Sequence, residues 1–147
     1  MTTPQILDAV HELSQAKARY CLAVDAKDWD AFSELLTPDI RLDVSDGNAG
    51  VPVIVGRDSA VAMIRASLTG AKTCHQVHTP LIDVDGDVAR VVWAMQDRIL
   101  WDNGATLTGY GHYHERWIRE HGAWKLASLT LTRLITELSR PTDRPET

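Results

Sequence analysis

The chain has 147 residues, a length that one domain accommodates, and its 44% hydrophobic and 24% charged residues exclude a disordered or fibrous protein. A formal net charge of −5 without any run of Lys or Arg argues against a nucleic-acid partner. No window approaches the roughly 18 consecutive apolar residues of a membrane span, and no membrane partner is expected. The opening MTTPQILDAVHELSQ is amphipathic from its start, without the basic and apolar regions of a secretory leader, and is read as cytoplasmic. Cys21 and Cys74 are too few for a disulfide framework, form no CxxC pair, and read as small buried hydrophobes.

Ile6, Ala9, Val10, Leu13, Ala16, Tyr20 and Val24 step by three and four, which predicts one long amphipathic opening helix. Asp28 caps a second helix with Trp29, Phe32, Leu35 and Leu36 on its apolar side, and Pro38 prevents its continuation. Ile40, Leu42 and Val44 alternate with Arg41, Asp43 and Ser45 as in a half-buried strand, before a Gly-rich loop from Asp46 to Gly50 and a short strand from Val51 to Val55. Asp58 is the expected N-cap of a third helix carrying Val61, Ile64 and Leu68, with Gly70 just past its end.

From Thr73 the pattern changes to extended runs over 73–84, 88–101, 106–119 and 124–137. Asp85-Gly86, Asn103-Gly104 and His121-Gly122 separate them in the short polar form that hairpins favour, which predicts an antiparallel meander. Strands of about 12 residues exceed the usual five or six, so the sheet must curl, with the helices packed into its concave side. The expected fold is an α+β cone enclosing a pocket, one domain over residues 1–138, with 139–147 as a flexible tail.

Words in the sequence agree with this order. Tyr20-Cys-Leu-Ala-Val-Asp25-Ala-Lys-Asp-Trp29-Asp30 resembles the first-helix signature of the SnoaL-like and scytalone dehydratase group of the NTF2-like superfamily. Thr73-Cys-His75 leading to Ile82-Asp-Val-Asp-Gly-Asp87 is similar to that group's strand bearing the catalytic histidine, and the turn Gly122-Ala-Trp124-Lys125 is common across the superfamily. The resemblance spans roughly residues 5–135 and implies a homodimer or higher homo-oligomer. It does not fix an activity, because the superfamily hosts several chemistries as well as non-catalytic binding modules.

Asp25 lies at the C-terminal end of the first helix, where the macrodipole offers a carboxylate nothing. Taken alone it reads as a solvated turn residue; the resemblance implies a carboxylate that orients His75, 50 positions later. Such a pair fixes the imidazole tautomer and leaves one ring nitrogen as a general base. The reaction most naturally served is β-elimination, which requires no metal or organic cofactor.

Tyr20 matches a tyrosine of some dehydratases in the group, suited to a substrate carbonyl. Five helical residues nevertheless set it about 140° from Asp25, which suits a core position equally well. Trp93 and Met95 share a strand face that either lines a pocket for a ring-bearing substrate or covers a dimer contact. Arg133 resembles an arginine at the pocket mouth that would bind an anionic leaving group or carboxylate, and otherwise reads as a surface residue. His75 and His78 fall on opposite strand faces, and His112 with His114 lacks a third ligand for a metal.

Two departures from scytalone dehydratase, Val24 before Asp25 and Asp97-Arg98 where that enzyme carries another histidine, argue for a different substrate. The reading is therefore a cofactor-independent lyase or isomerase acting on a hydrophobic oxygenated small molecule such as a polyketide, steroid or aromatic intermediate. The alternative is a non-catalytic binding or assembly module of the same fold. An epoxide hydrolase built on Asp97 and Arg98 is the third reading.

Overall fold

The computed structural model describes residues 1–48 and 50–141. Helix α1 runs from Thr3 to Ala26, opened by a capping box between Thr2 and Gln5 and closed by Lys27 in the left-handed conformation at φ 57°. Helix α2 covers Trp29–Glu34, and Asp28 caps it as expected through the Ala31 amide. Strand β1 covers Leu36–Asp43 and β2 Ile54–Val55, so Leu36 belongs to a strand rather than to the second helix. Helix α3 spans Arg57–Ser67; its N-cap is Gly56, without a side-chain cap bond, and Asp58 sits in the first turn instead.

The sheet continues with β3 (Ala71–Val77), β4 (Leu81–Asp85), β5 (Val88–Trp101), β6 (Thr106–Glu120) and β7 (Ala123–Ser139). The single strand expected over 73–84 is broken at His78-Thr79-Pro80, where proline has no N–H for the ladder, and its two pieces pair with successive stretches of β5. Strand order is β2-β1-β7-β6-β5-β3, with β4 also on β5; β1 lies parallel to β7 and every other pairing is antiparallel. Register shifts at Tyr110/Gly111 and Arg116/Trp117 mark bulges between β6 and β7, the device that lets strands this long curl. β7 pairs as far as Ser139, and residues 142–147 of the expected tail lie outside the described residues.

The inner face of the sheet and the apolar stripe of α1 form one core, in which Leu13, Ile40, Trp117, Leu126 and Leu129 have no exposure. Cys21 belongs to it, whereas Cys74 is exposed, because alternation along β3 turns Thr73 and His75 inward and Cys74 out. Among the described residues no helix is long and apolar enough to cross a membrane.

The core also holds a fully buried ion pair, Lys17 of α1 with Glu115 of β6. The other oxygen of Glu115 accepts from the indoles of Trp93 at 2.7 Å and Trp117 at 2.9 Å. The Lys17 ammonium also lies 3.7 Å from the centre of the Tyr20 ring and 4.0 Å from that of Tyr113. Removing one member of a buried pair strands the other charge, so Lys17→Met should cost about 3–5 kcal/mol in urea denaturation. Lys17→Met/Glu115→Gln should recover most of that loss, since Gln keeps an acceptor for the indoles.

Candidate active site

The C-terminal end of α1 is held against the start of β3, where the Lys27 ammonium donates to the Ala71 carbonyl. Because β3 is an edge strand, its outward amides have no sheet partner. Asp25, one residue before the helix ends, meets this edge. Its carboxylate accepts from the Thr73 hydroxyl at 2.9 Å and from the His75 backbone N–H at 2.9 Å, and lies 2.7 Å from His75 Nδ1. A carboxylate at Nδ1 holds the ring proton there and leaves Nε2 with a free lone pair. The His75 and Asp25 side chains are 11% and 26% exposed.

Burial raises the Asp25 carboxyl, but hydrogen bonds from the His75 ring and amide, the imidazole charge and the Thr73 hydroxyl outweigh it, and the net displacement is below the ordinary carboxylate value.

His75 faces a cavity of about 150 Å³ whose other polar walls include Tyr20, Asp97, Tyr113 and Arg133, with Val24, Ile64, Leu68, Ile99 and Leu107 among the apolar ones. Burial above all holds both phenols well above the ordinary tyrosine value, so they stay protonated donors. Both side chains line the cavity and so meet whatever occupies it.

Arg133 reaches inward rather than to the surface. Its Nη1 and Nη2 donate to the two oxygens of Asp97, each at 2.9 Å, with the side chains only 7% and 3% exposed. Burial lowers the affinity of the guanidinium for its proton, and the hydrogen bonds and charge of Asp97 more than reverse this.

Several expectations change here. Tyr20 is a buried core residue that also lines the cavity. Trp93 and Met95 do share the inner face of β5, but they sit in the closed core, outside the cavity lining, which takes Asp97, Ile99 and Trp101 of that strand instead. Arg98 points outward and donates to Thr108, so the arginine of Asp97 is Arg133. His78 is exposed, the rings of His112 and His114 lie 6.1 Å apart, and no group of three metal-ligating side chains occurs among the described residues. Sequence reasoning missed Tyr113, Lys17 and Glu115; the signals available were a Lys on an apolar helical stripe and the alternation Tyr113, Glu115, Trp117.

A wider groove of about 780 Å³ runs between α1, α2 and the β6–β7 turn, but none of Asp25, His75, Asp97 or Arg133 lines it. His75, Asp97 and Arg133 line the smaller cavity instead.

A depressed carboxyl stabilises the fold above its unfolded value, near pH 4, and that contribution is lost as pH falls through the folded value. The stability difference between the protein and Asp25→Asn should therefore be full at pH 6–7 and shrink steadily below about pH 4. Denaturation series at stepped pH would read this, and a difference independent of pH would contradict it.

With this geometry in view, the chain is similar over 142 residues to a probable cyclase of Gibberella zeae, at 23% identity covering 89% of this chain and 95% of that one. Its fold is that of a provisionally assigned scytalone dehydratase of Novosphingobium aromaticivorans, with a TM-score of 0.83 and 19% identity, covering 99% of this chain and all of the other. It is also that of a hexachlorocyclohexane dehydrochlorinase, with a TM-score of 0.82 and 12% identity over 99% and 98% of the two chains. These likenesses establish the cone-shaped NTF2-like architecture. The family model described as SnoaL-like domain matches residues 5–130, and the chain belongs to that family.

Proposed function

We propose that the protein is a cofactor-independent lyase or isomerase in which His75, oriented by Asp25, is the general base. The observation that carries this reading is the Asp25–His75 contact at 2.7 Å on the wall of a mainly apolar cavity. A pocket that only binds has no need of a carboxylate within bonding distance of an imidazole.

In a β-hydroxy ketone, Nε2 takes the proton on the carbon next to the carbonyl, and the electron pair moves onto the carbonyl oxygen. The hydroxyls of Tyr20 and Tyr113 stabilise the enolate by donating to that oxygen. As the carbonyl reforms, the C–O bond to the β-hydroxyl breaks, and the imidazolium returns its proton to the departing oxygen as water. Protons balance, and the base is regenerated.

A cavity of about 150 Å³ suits one aromatic-sized ring, which narrows the substrate from polyketides and steroids in general towards a single-ring oxygenated intermediate. The names of the relatives, a cyclase, a dehydratase and a dehydrochlorinase, support chemistry of this class. Leu134, Ile135 and Leu138, exposed near the end of β7, support a homodimer or higher assembly.

The test is enone formation, followed by ultraviolet absorbance, on a panel of β-hydroxy ketones beginning with 3-hydroxycyclohexanone. His75→Ala and Asp25→Asn should each lower kcat/KM by about 10²–10⁴-fold, the usual contribution of a positioned acid-base group. Unchanged turnover in both variants would reject the dyad.

A further inference from the structure

The register of the sheet sets His75 of β3 directly opposite Asp97 of β5, and Asp97 opposite Gly109 of β6. Residues so opposed have Cβ atoms about 4.5–5.5 Å apart on one face. His75 is thus flanked by two carboxylates, Asp25 from α1 and Asp97 from the neighbouring strand. In surroundings of low polarity a second bare carboxylate would strongly favour the imidazolium, which has no lone pair with which to act as a base.

Arg133 removes that second charge. It bonds both oxygens of Asp97 in parallel, and its own backbone N–H is tied to Asp46 at 2.7 Å. Gly109 makes the room: a Cβ built there would lie 1.9 Å from Arg133 Nη1 and 2.4 Å from Asp97 Oδ1. Two other charges lie close by: the Asp46 carboxylate, which also acts on the Arg133 guanidinium, and the Lys27 ammonium at the start of β3; both are unchanged in the variants compared below. Tyr20, Cys21 and Tyr113 are held protonated, Lys17 is matched with Glu115, and α3 lends the cavity only uncharged side chains.

We propose that Arg133 is a positioning residue for the base: seated over Gly109, it neutralises Asp97 so that His75 works beside one uncompensated carboxylate instead of two. Its charge is directed at Asp97 and not at an anionic group on the substrate. The value of this to catalysis rests on the function proposed above; the electrostatic effect does not.

The test follows the His75 ring by NMR through a pH titration, with no substrate present. Arg133→Met should move the titration midpoint up by about one pH unit or more, and Asp97→Asn/Arg133→Met should bring it back to the wild-type position. Asp97→Asn alone, which leaves the guanidinium unpaired near the ring, should move it down. If Arg133→Met does not fold, the Asp97→Asn midpoint decides the matter. A midpoint unmoved in the folded variants, or an equal upward move in the double variant, would overturn the proposal. Loss of turnover chemistry with these shifts intact would overturn the function and leave this inference standing.

Discussion

The carboxylate of Asp25 joins the end of α1 to an edge strand, and the geometry of the whole site depends on that junction. A carboxylate at the negative end of a helix is unfavourable by roughly 0.3–1 kcal/mol. Each hydrogen bond to a charged acceptor is worth about 1.5–3 kcal/mol, and Asp25 has three partners on β3. Even with its partial exposure the balance favours the junction. The side chain therefore stays where it sets the ring of His75.

Two further arrangements keep the cavity in working order. Below it, Lys17 and Glu115 bury a matched pair of charges that also holds Trp93 and Trp117 and lies beneath the rings of Tyr20 and Tyr113. Beside it, Arg133 and Asp97 form a second matched pair across Gly109. Both span elements distant in sequence. The bulges of β6 and β7 bend the sheet, which lets a side chain from the end of β7 reach back to β5.

What the sequence disclosed divides along the same line. Local periodicity and turn chemistry located α1, α2, α3 and β5 to β7, strand length implied the cone, family words agreed with it, and those words alone pointed to the pair Asp25 and His75. The exceptions inside that local reading have local causes: Pro80 splits a strand, Gly56 takes the cap expected of Asp58, and Cys74 faces outward by simple alternation. Partnerships between distant positions were not legible. Asp97 was read beside Arg98, its neighbour in the chain, when strand alternation turns Arg98 outward and the register brings Arg133 instead. Lys17 on the apolar stripe carried a signal, but only the fold shows that Glu115 answers it.

The central claim is that His75 removes a carbon-bound proton inside the cavity. The most direct measurement is deuterium exchange at the carbon next to the carbonyl of a single-ring ketone that cannot eliminate, such as cyclohexanone, followed by NMR in D₂O. The protein should exchange that position well above the buffer rate, and His75→Gln should return the rate to the buffer level. Exchange of equal rate in both proteins would contradict the account.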